Sequence, residues 1–429
     1  MQIHVVRPGE SLWSIGQMYN VPYQMISEAN DLPQAERLVV GQALVIPFEG
    51  RFHWVMPGES VWQISQQYRV PFEHVLRVNN IPISAFLPVG FPLYIDMPPQ
   101  MKPSIEVGAY MDLDITGEDS SSIVNEVGNH LTYLQLFSYQ MNSDGTLTRM
   151  DDQAVINTAY ENQIVPLMVI TNIEDGEFST ELAATVLQDE ERQNRLLDEA
   201  LAIMDEKGFL GIDFDLEYVG AENREAYNEL MRNARARLDE QGYLLSSALA
   251  PQVEPGMTGD LYEGHDYAVH GEIADFVFLM TYEWGYTGSP PQAVAPVDQV
   301  RRVIEYALTQ MPADKIMMGM PLYGYDWTLP FVEGETQAQP LDHQQAIELA
   351  RQYNAAIEFD ETAQSPHFTY YDDEGTEHEV WFEDARTVQA KFDMIKEYGL
   401  RGMFYWVLGW EFPQNWLLIE DNFTVNKRV

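Results

Sequence analysis

The chain has 429 residues, of which 45% are hydrophobic, and this combination predicts two or three folded domains rather than a disordered acidic polymer. The formal net charge of −43 disfavours nucleic acids and anionic membranes as partners, because both repel a strongly negative protein. The chain contains no cysteine, so disulfide frameworks and cysteine-ligated metal sites are excluded.

The N-terminal residues lack the charged segment and following apolar segment of a secretory signal, so we expect a protein made without a recognisable signal peptide. No apolar stretch has the length that a bilayer crossing requires, and no membrane partner is expected. Residues 1–97 hold eight acids and five arginines, so nearly all of the net negative charge lies in the rest of the chain. We predict that this acidity reflects a salty habitat, in which self-repulsion is screened.

The N-terminal hundred residues contain a sequence repeat with an offset of 49 residues, in which Val6–Ile15 returns as Val55–Ile64. Further matches at the same offset are Tyr19 and Tyr68, Val21-Pro22 and Val70-Pro71, Asn30 and Asn79, Gly41 and Gly90, and Ile46 and Ile95. Each copy predicts a short strand, a first helix that begins after Ser11 or Ser60, a second helix that ends near Asn30 or Asn79, and a closing strand. The repeat therefore indicates two small β-α-α-β units.

The two copies resemble LysM domains in the Pro-Gly-Glu-Ser turn, the tryptophan and isoleucine of the first helix, and the asparagine. The first copy also has the ending Gly-x-x-Leu-x-Ile-Pro, whereas the second has Asp96 where proline is usual. The resemblance implies one LysM domain at 1–48 and another at 52–97. It also implies binding to peptidoglycan, chitin or another N-acetylglucosamine polymer.

Within these units we predict that Trp13 and Trp62 are core residues. Sugar contact is expected from the loops around Pro8–Glu10 and Asn30–Leu32. A tandem pair would gain avidity on a repeating polymer. A proline-rich linker at 98–103 is predicted to separate the pair from the rest of the chain.

From residue 104 onward, short apolar runs alternate with helical stretches, as is typical of a parallel sheet covered by helices. The predicted strands are Ser104–Tyr110, Tyr133–Tyr139, Ile164–Thr171, Phe209–Leu216, Leu244–Ala250, Phe276–Thr281, Lys315–Leu322 and Gly402–Leu408. The predicted helices include Glu181–Lys207, Arg224–Glu240, Asp298–Gln310 and Thr387–Tyr398. Eight such strands predict an α/β fold, a (β/α)8 TIM barrel spanning 104–429.

The connection between the seventh and eighth predicted strands is too long for a single helix. We predict an α+β insertion at about 327–399, with a helix near His343–Tyr353 and a hairpin formed by Phe368–Tyr371 and His378–Phe382. Asp372–Gly375 is interpreted as the solvated turn of this hairpin rather than as a metal loop. An insertion at the barrel mouth would deepen the site into a groove.

The fourth predicted strand carries three acids, Asp213, Asp215 and Glu217, in alternation with Phe214 and Leu216. On a β-strand these acids point to one face, where their mutual repulsion raises pKa values and keeps one acid protonated near neutrality. A solvated acidic edge and a calcium loop are the alternatives. The apolar residues between the acids, and the absence of EF-hand spacing, favour a general acid.

Other predicted strands end in residues suited to holding a sugar, because aromatic rings offer flat apolar faces for stacking. The aromatic residues predicted to bind substrate in this way are Tyr110, Tyr323 and Trp406, and the family resemblance described below adds Met280 and Glu283 at the end of the sixth strand. No metal and no cofactor is predicted. His265 and His270 are five residues apart rather than the four of a helical zinc pair, and we interpret them as structural.

The Gly-x-Asp-x-Asp-x-Glu motif of the fourth strand, Met-x-Tyr of the sixth and Trp of the eighth resemble glycoside hydrolase family 18. The resemblance implies that Glu217 protonates the glycosidic oxygen while Asp215 orients the substrate's N-acetyl group, whose carbonyl oxygen attacks the anomeric carbon. Tyr282 would donate a hydrogen bond to that carbonyl, and Asp213 would share charge with Asp215. Trp406 would form the floor under the reacting sugar. Anomeric configuration would be retained without a second carboxylate as nucleophile.

Two positions depart from the family pattern, Leu210 in place of an Asp and Glu283 in place of an Asp. The tandem LysM units, together with Tyr262–Tyr267 and Trp406–Trp410, resemble more narrowly the spore-cortex fragment-lytic N-acetylglucosaminidases of endospore-forming bacteria. This resemblance implies a monomer associated with the spore coat, cortex or cell wall that cleaves β-1,4 bonds of cortex peptidoglycan. The alternatives are a chitinase and a non-catalytic wall-binding or spore-coat protein.

Overall fold

The computed structural model describes residues 1–32, 37–48, 50–83, 86–96 and 101–429. Two small β-α-α-β units are followed by a closed barrel of parallel strands that carries an α+β insertion, so the predicted fold class is confirmed. Part of the predicted linker, residues 98–100, lies outside the described residues. Within the described ranges, none of the helices combines the length and the apolar character that a bilayer crossing requires.

The two N-terminal units have the same element order, and in each an antiparallel pair of strands closes the unit. The first consists of strand Gln2–Val5, helices Leu12–Tyr19 and Tyr23–Ala29, and strand Ala43–Ile46. The second consists of strand Arg51–Trp54, helices Val61–Gln67 and Phe72–Val78, and strand Pro92–Ile95. Ser11 and Ser60 cap the first helix of their units, as predicted, by accepting a hydrogen bond from the backbone three residues later.

The prediction that Trp13 and Trp62 are core residues is wrong, because their side chains are 64% and 58% exposed. The apolar side chains of the same helices that are fully buried are Ile15 and Ile64, two positions further along. A helix turns about 100° per residue, so positions two apart lie on nearly opposite faces. The isoleucines therefore point into each unit and the tryptophans point outward.

The barrel lies in residues 104–429, all of which are described. Its strands are Ser104–Asp112, Tyr133–Gln140, Val165–Thr171, Gly211–Asp215, Leu244–Leu249, Phe276–Leu279, Ile316–Pro321 and Gly402–Trp406. Every neighbouring pair is parallel, and the eighth strand pairs with the first, which closes the sheet. Closure places all eight carboxyl ends at one mouth, where barrels of this type carry their chemistry.

Helices cover the outside of the barrel between successive strands and after the eighth strand. They are Leu113–Thr116, Ser120–Val127, Gln153–Glu161, Thr180–Leu187, Glu190–Lys207, Arg224–Asp239, Asp260–Glu263, Tyr267–Ile273, Val297–Ala307, Ala385–Tyr398 and Pro413–Asn422. The prediction of one helix over Glu181–Lys207 is wrong, because Asp189 starts a second helix there. Its carboxylate accepts hydrogen bonds from the backbone N–H groups of Glu191 and Arg192, which caps the new N-terminus.

The insertion between the seventh and eighth barrel strands contains a five-stranded antiparallel sheet and one helix, His343–Gln352. In spatial order the strands are Gln339–Asp342, Tyr323–Thr328, Glu377–Trp381, Ser365–Tyr371 and Glu358–Asp360. The predicted hairpin is present as the pair Ser365–Tyr371 and Glu377–Trp381, and it forms two of the five strands of this larger sheet. The helix Ala385–Tyr398, inside the predicted insertion range, packs on the barrel core through Val388 and Phe392 and so belongs to the barrel.

Candidate active site

The three acids of the fourth barrel strand lie at and below the mouth of the barrel. Asp213 and Asp215 belong to the strand and are buried, whereas the strand ends at Asp215 and the partly exposed Glu217 lies two residues beyond it. The Tyr110 hydroxyl donates a hydrogen bond of 2.5 Å to Asp213, and the Ser246 hydroxyl donates one of 2.8 Å. The buried Asp213, held by these two hydroxyl donors, therefore forms the end of the site that lies deepest in the barrel.

The environment raises the pKa of all three carboxyl groups. Burial raises the pKa of Asp213 to about 6, although its two hydroxyl donors oppose the shift. Burial raises the pKa of Asp215 well above its ordinary value, and the charges of Glu217 and Asp213 add to this. Burial raises the pKa of Glu217 to about 7, with a contribution from the charge of Glu283. Glu217 therefore holds a proton near neutral pH, as a general acid requires.

The backbone of Glu217 is held by a buried side chain from the neighbouring strand. Asn172, which follows the third barrel strand directly, accepts a hydrogen bond of 2.9 Å from the Glu217 N–H group. Its amide also donates to the Glu217 carbonyl at 2.8 Å and to the Ser179 carbonyl at 3.0 Å. The strand has already ended here, so the Asn172 amide takes the place of a sheet partner and orients the acid.

A second side chain holds the peptide group just before the acid. His265 is buried, and its Nδ1 accepts a hydrogen bond of 2.8 Å from the Ala250 N–H group. With Nδ1 as the acceptor, Nε2 carries the proton and donates to the Leu216 carbonyl at 2.8 Å. Burial lowers the pKa of His265 to about 4, so the ring is neutral and keeps this pattern at physiological pH.

The sixth barrel strand ends at Leu279 and delivers the predicted residues Met280, Tyr282 and Glu283 to the mouth. Met280 and Tyr282 are buried, and burial with the charges of Asp215 and Glu217 raises the pKa of the Tyr282 hydroxyl, which stays a donor. Glu283 is exposed and adopts a positive φ of 65°. The structure therefore brings these residues into electrostatic range of the acids.

Glu283 is connected to two tyrosines of the insertion's first strand. The hydroxyl of Tyr323 donates to its carboxylate, and the hydroxyl of Tyr325 donates to the same oxygen at 3.0 Å. Although the residue as a whole is exposed, removal of water from around its carboxylate raises the pKa of Glu283, and the two donors oppose this shift. The insertion thus reaches the catalytic mouth by direct hydrogen bonds.

Aromatic rings meet at the mouth between the first, second and eighth strands. Trp406 is half-buried, with its ring centroid 4.9 Å from that of Phe137 and 5.4 Å from that of Tyr110, both edge-on. Tyr110 itself is buried beneath the mouth, where its hydroxyl supports Asp213. Trp406 therefore has an indole that solvent can reach, whereas Tyr110 lies in the layer below.

Four side chains of this site were not predicted from the sequence, namely Asn172, Ser246, His265 and Tyr325. Asn172 was detectable, because it is a polar residue directly after an entirely buried barrel strand. The roles of the other three could not be predicted locally, since Ser246, His265 and Tyr325 meet Asp213, Leu216 and Glu283 across 33, 49 and 42 residues. Among the described residues, no group of three or more His, Cys, Asp or Glu side chains is arranged to hold a metal ion.

Carboxyl groups of raised pKa at the carboxyl ends of a closed parallel barrel, with aromatic rings beside them, define a barrel enzyme that works by acid catalysis. A family model described as glycosyl hydrolases family 18 matches residues 113–410. A LysM domain model matches residues 4–47 and 53–96. The chain belongs to glycosyl hydrolases family 18 and carries two LysM domains, so the predicted glycoside hydrolase class is confirmed.

Relatives match along the whole chain. The cortical fragment-lytic enzyme of Bacillus subtilis (strain 168) is 51% identical over 431 residues, covering 100% of both chains. That of Bacillus anthracis is 47% identical over 432 residues with the same coverage. The crystal structure of the Bacillus megaterium QM B1551 spore cortex-lytic enzyme SleL has a TM-score of 0.92 and 41% identity, covering 100% of this chain and 99% of that one.

Proposed function

We propose that this enzyme hydrolyses N-acetylglucosaminyl β-1,4 bonds of spore-cortex peptidoglycan and retains the anomeric configuration. LysM and family 18 domains indicate binding to peptidoglycan-like or chitin-like N-acetylglucosamine polymers. The full-length similarity to cortical fragment-lytic enzymes supports the choice of cortex peptidoglycan. Chitooligosaccharides remain the comparison substrate, because they contain the same acetamido group.

In the first step Glu217 transfers its proton to the glycosidic oxygen as the bond from that oxygen to the anomeric carbon breaks. The carbonyl oxygen of the substrate's own acetamido group attacks the anomeric carbon and forms a cyclic oxazolinium ion. Asp215 accepts a hydrogen bond from the acetamido N–H group and stabilises the positive charge that develops. Tyr282 donates its hydroxyl proton in a hydrogen bond to the attacking oxygen, which positions it.

In the second step the Glu217 carboxylate takes a proton from a water molecule, whose oxygen attacks the anomeric carbon from the side that the leaving group vacated. The ring of the oxazolinium ion opens, the acetamido group is restored and Glu217 is protonated again. Two displacements on opposite faces give net retention. Asp213 shares charge with Asp215 during both steps, because the two carboxyl groups lie on the same strand face.

The remaining predicted residues surround the reacting sugar in this proposal. Trp406 provides the apolar floor, and Met280 lines the same pocket. Glu283 contacts a sugar hydroxyl and is oriented by Tyr323. Tyr110, which we predicted as a direct sugar contact, acts instead through Asp213, since it is buried and donates its hydroxyl to that carboxylate.

One observation carries the proposal, namely that a proton-holding acid lies next to an aspartate whose carboxyl group has an oxygen without a hydrogen-bond partner. The pKa of Glu217 is raised to about 7, and the buried Oδ1 of Asp215 has no hydrogen-bond partner among the described residues. A buried polar atom without a partner destabilises the fold. An acetamido N–H group would satisfy this oxygen only when substrate binds.

The test is Glu217→Gln, which preserves the shape and the backbone contacts of the residue but removes the transferable proton. We expect kcat on cortex fragments to fall by about 10³-fold, within the range of general acid catalysis, with an unchanged melting temperature. The matched control is Glu240→Gln, at an exposed helix end. Mass spectrometry of the reducing ends identifies the bond, and NMR of the fresh product identifies the anomer.

Undiminished release of reducing ends by Glu217→Gln would contradict the proposal, and an inverted anomer would contradict the mechanism. Faster turnover of chitooligosaccharides than of muropeptides would favour a chitinase. We further propose that the chain acts as a monomer at the spore cortex. The proposed domain boundaries remain 1–48, 52–97 and 104–429.

A further inference from the structure

The two LysM repeats allow an internal comparison, because equivalent residues are 49 positions apart. The informative segment is the loop between the second helix and the closing strand of each repeat. We call it the helix–strand loop, residues 30–42 in the first repeat and 79–91 in the second. Its described parts have different surroundings in the two copies.

The helix–strand loop of the first repeat is bonded to the catalytic domain. The Gln414 amide of the last barrel helix donates to the Asn30 side-chain oxygen at 2.8 Å and to the Ala43 carbonyl at 3.0 Å. The backbone N–H group of Ile357 in the insertion donates to the Val40 carbonyl at 2.9 Å. The loop is therefore attached to the barrel and to the insertion at once.

The contact is close enough to exclude any side chain at one position. A Cβ atom added to Gly41 would lie 1.9 Å from the Ile357 carbonyl oxygen, whereas one added to Gly90 meets no described atom within 4 Å. Val39, two positions before Gly41, is buried in the hydrophobic core of the insertion, and its counterpart Pro88 is exposed. The same loop is thus an interface in one repeat and a free surface in the other.

The helix–strand loop of the second repeat presents apolar side chains to solvent. Ile83, Phe86 and Val89 are 77%, 90% and 62% exposed. In the first repeat Asn30 and Leu32 are buried, and the counterparts of Phe86 and Val89 are the charged Arg37 and a Val40 that is only 38% exposed. Exposed apolar side chains at a loop are suited to the apolar faces of a sugar chain.

The second repeat is itself fastened to the first. The Gln2 side chain accepts a hydrogen bond of 2.9 Å from the Phe52 N–H group and donates one of 3.2 Å to the Phe52 carbonyl. The rings of Phe52 and Trp54 pack edge-on against Tyr19 at 5.6 Å and 5.4 Å. The first repeat therefore connects the catalytic barrel to the second repeat through two ordered interfaces.

We propose that the first LysM repeat is a docking module that fixes the second repeat to the catalytic domain, and that the second repeat captures the polymer. The polymer is the N-acetylglucosamine chain of the proposed function, on which this inference rests. Two interchangeable binding units on a flexible tether would gain avidity from their number. Here the gain comes from holding one binding loop at a set position relative to the catalytic mouth.

Polymer binding is measured by co-sedimentation of the full chain with insoluble cortex peptidoglycan, and separately with chitin, in a Glu217→Gln background that leaves the polymer intact. The double variant Phe86→Ala, Val89→Ala should weaken retention by about fivefold or more, as truncation of contact residues does. The matched double variant at the equivalent positions, Arg37→Ala with Val40→Ala, should retain binding within about twofold, because it removes no polymer contact.

Docking is measured with a matched glycine pair. Gly41 and Gly90 have nearly the same φ, +87° and +81°, so alanine imposes the same backbone strain at both. Only Gly41→Ala also displaces the Ile357 carbonyl. We expect hydrogen exchange of the Ile357 amide to accelerate by about tenfold or more in Gly41→Ala and to stay unchanged in Gly90→Ala.

Several outcomes would overturn the inference. One is a loss of retention in the first-repeat variant that equals or exceeds the loss in the second-repeat variant. Another is unchanged exchange at Ile357 in Gly41→Ala. Failure of the Glu217→Gln chain with unsubstituted repeats to sediment with either polymer would overturn polymer capture by the second repeat, whereas the proposed hydrolysis is tested separately by the release of reducing ends. If the chain sediments with a polymer but the two double variants weaken retention to the same extent, only the inference about the two repeats is overturned and the proposed hydrolysis stands.

Discussion

Asn172 is the side chain through which the fold holds the catalytic acid, and replacing it with alanine tests that role. The Asn172 amide makes three hydrogen bonds, two to the peptide groups of Glu217 and one to the Ser179 carbonyl. None of them involves the Glu217 carboxyl group. The substitution therefore leaves the acid's chemistry intact and removes only its support.

The loss of stability in Asn172→Ala follows from the three backbone groups that lose their hydrogen-bond partner, namely the N–H and carbonyl of Glu217 and the carbonyl of Ser179. A buried polar group without a partner costs about 1–3 kcal/mol, and water entering from the mouth replaces part of what is lost. We therefore expect Asn172→Ala to lower the free energy of unfolding by about 2–4 kcal/mol. A displacement of the acid by about 1 Å lowers kcat by up to about 10²-fold, so we expect a loss of about 10- to 100-fold with a smaller change in KM.

The chain offers a closely matched control in the second LysM repeat. The Asn79 amide donates to the carbonyl groups of Val75 and Tyr94, at 2.8 Å and 2.6 Å, and accepts from the Tyr94 N–H group at 2.7 Å. Asn79→Ala therefore removes the same three kinds of hydrogen bond far from the catalytic mouth. We expect it to destabilise its own unit without changing kcat on a soluble muropeptide.

The assay compares both variants by denaturant unfolding and by initial rates on the soluble substrate, at a temperature where each variant is folded. The positioning role would be refuted by a kcat of Asn172→Ala within about twofold of the parent, since a displaced acid loses more than that. It would equally be refuted if Asn79→Ala lowered kcat to the same extent. Rescue by Asn172→Gln is not expected, because the longer side chain cannot reach both peptide groups from the same place.

Three further predictions concern charge. Glu283→Gln removes a negative charge that raises the Glu217 pKa, so the alkaline limb of the kcat–pH profile should move to lower pH, and an unmoved limb would contradict the coupling. Asp213 keeps its proton up to about pH 6 in the folded state but only up to about pH 4 in the unfolded chain. Between these pH values the folded protein binds more protons than the unfolded chain, so the free energy of unfolding falls as pH rises through this window. The loss of unfolding free energy across the window is about 3 kcal/mol. Denaturant unfolding at pH 4 and at pH 6 should show this loss in the parent protein and not in Asp213→Asn. Raising salt from low to molar concentration should raise the melting temperature and preserve activity, because it screens the net charge of −43; a collapse of activity would contradict a salt-adapted surface.

Local sequence patterns were sufficient for the parts of the molecule that repeat over short distances. Two-residue alternation predicts that Asp213, Asp215 and Glu217 share a strand face, since side-chain direction on a strand depends only on the parity of the position. The offset between the LysM copies predicts their common β-α-α-β order, and Ser11 and Ser60 mark their helix starts because capping is a local hydrogen bond. Alternating apolar and helical runs likewise predict a parallel barrel.

Local patterns did not predict which face of a helix is buried, where a long helical stretch breaks, or which distant strands pair. The tryptophans Trp13 and Trp62 are apolar enough for a core, yet their helices place them on the outer face. The break at Asp189 divides a stretch whose composition is helical throughout. The insertion's sheet joins Gln339–Asp342 to Tyr323–Thr328 and the later hairpin, and such pairings of separated segments have no local signature.

The amino-acid sequence by itself determined which strand carries the acids and which residues form the LysM units, because these properties depend on neighbours within a few positions. Only the tertiary structure decided how the acid is held and which repeat has an exposed helix–strand loop. Asn172 meets Glu217 across 45 residues and Tyr110 meets Asp213 across 103, because closure of the barrel makes distant strand ends adjacent. Gly41 is buried against Ile357 while Gly90 is not, since the two similar repeats occupy different places on one folded body.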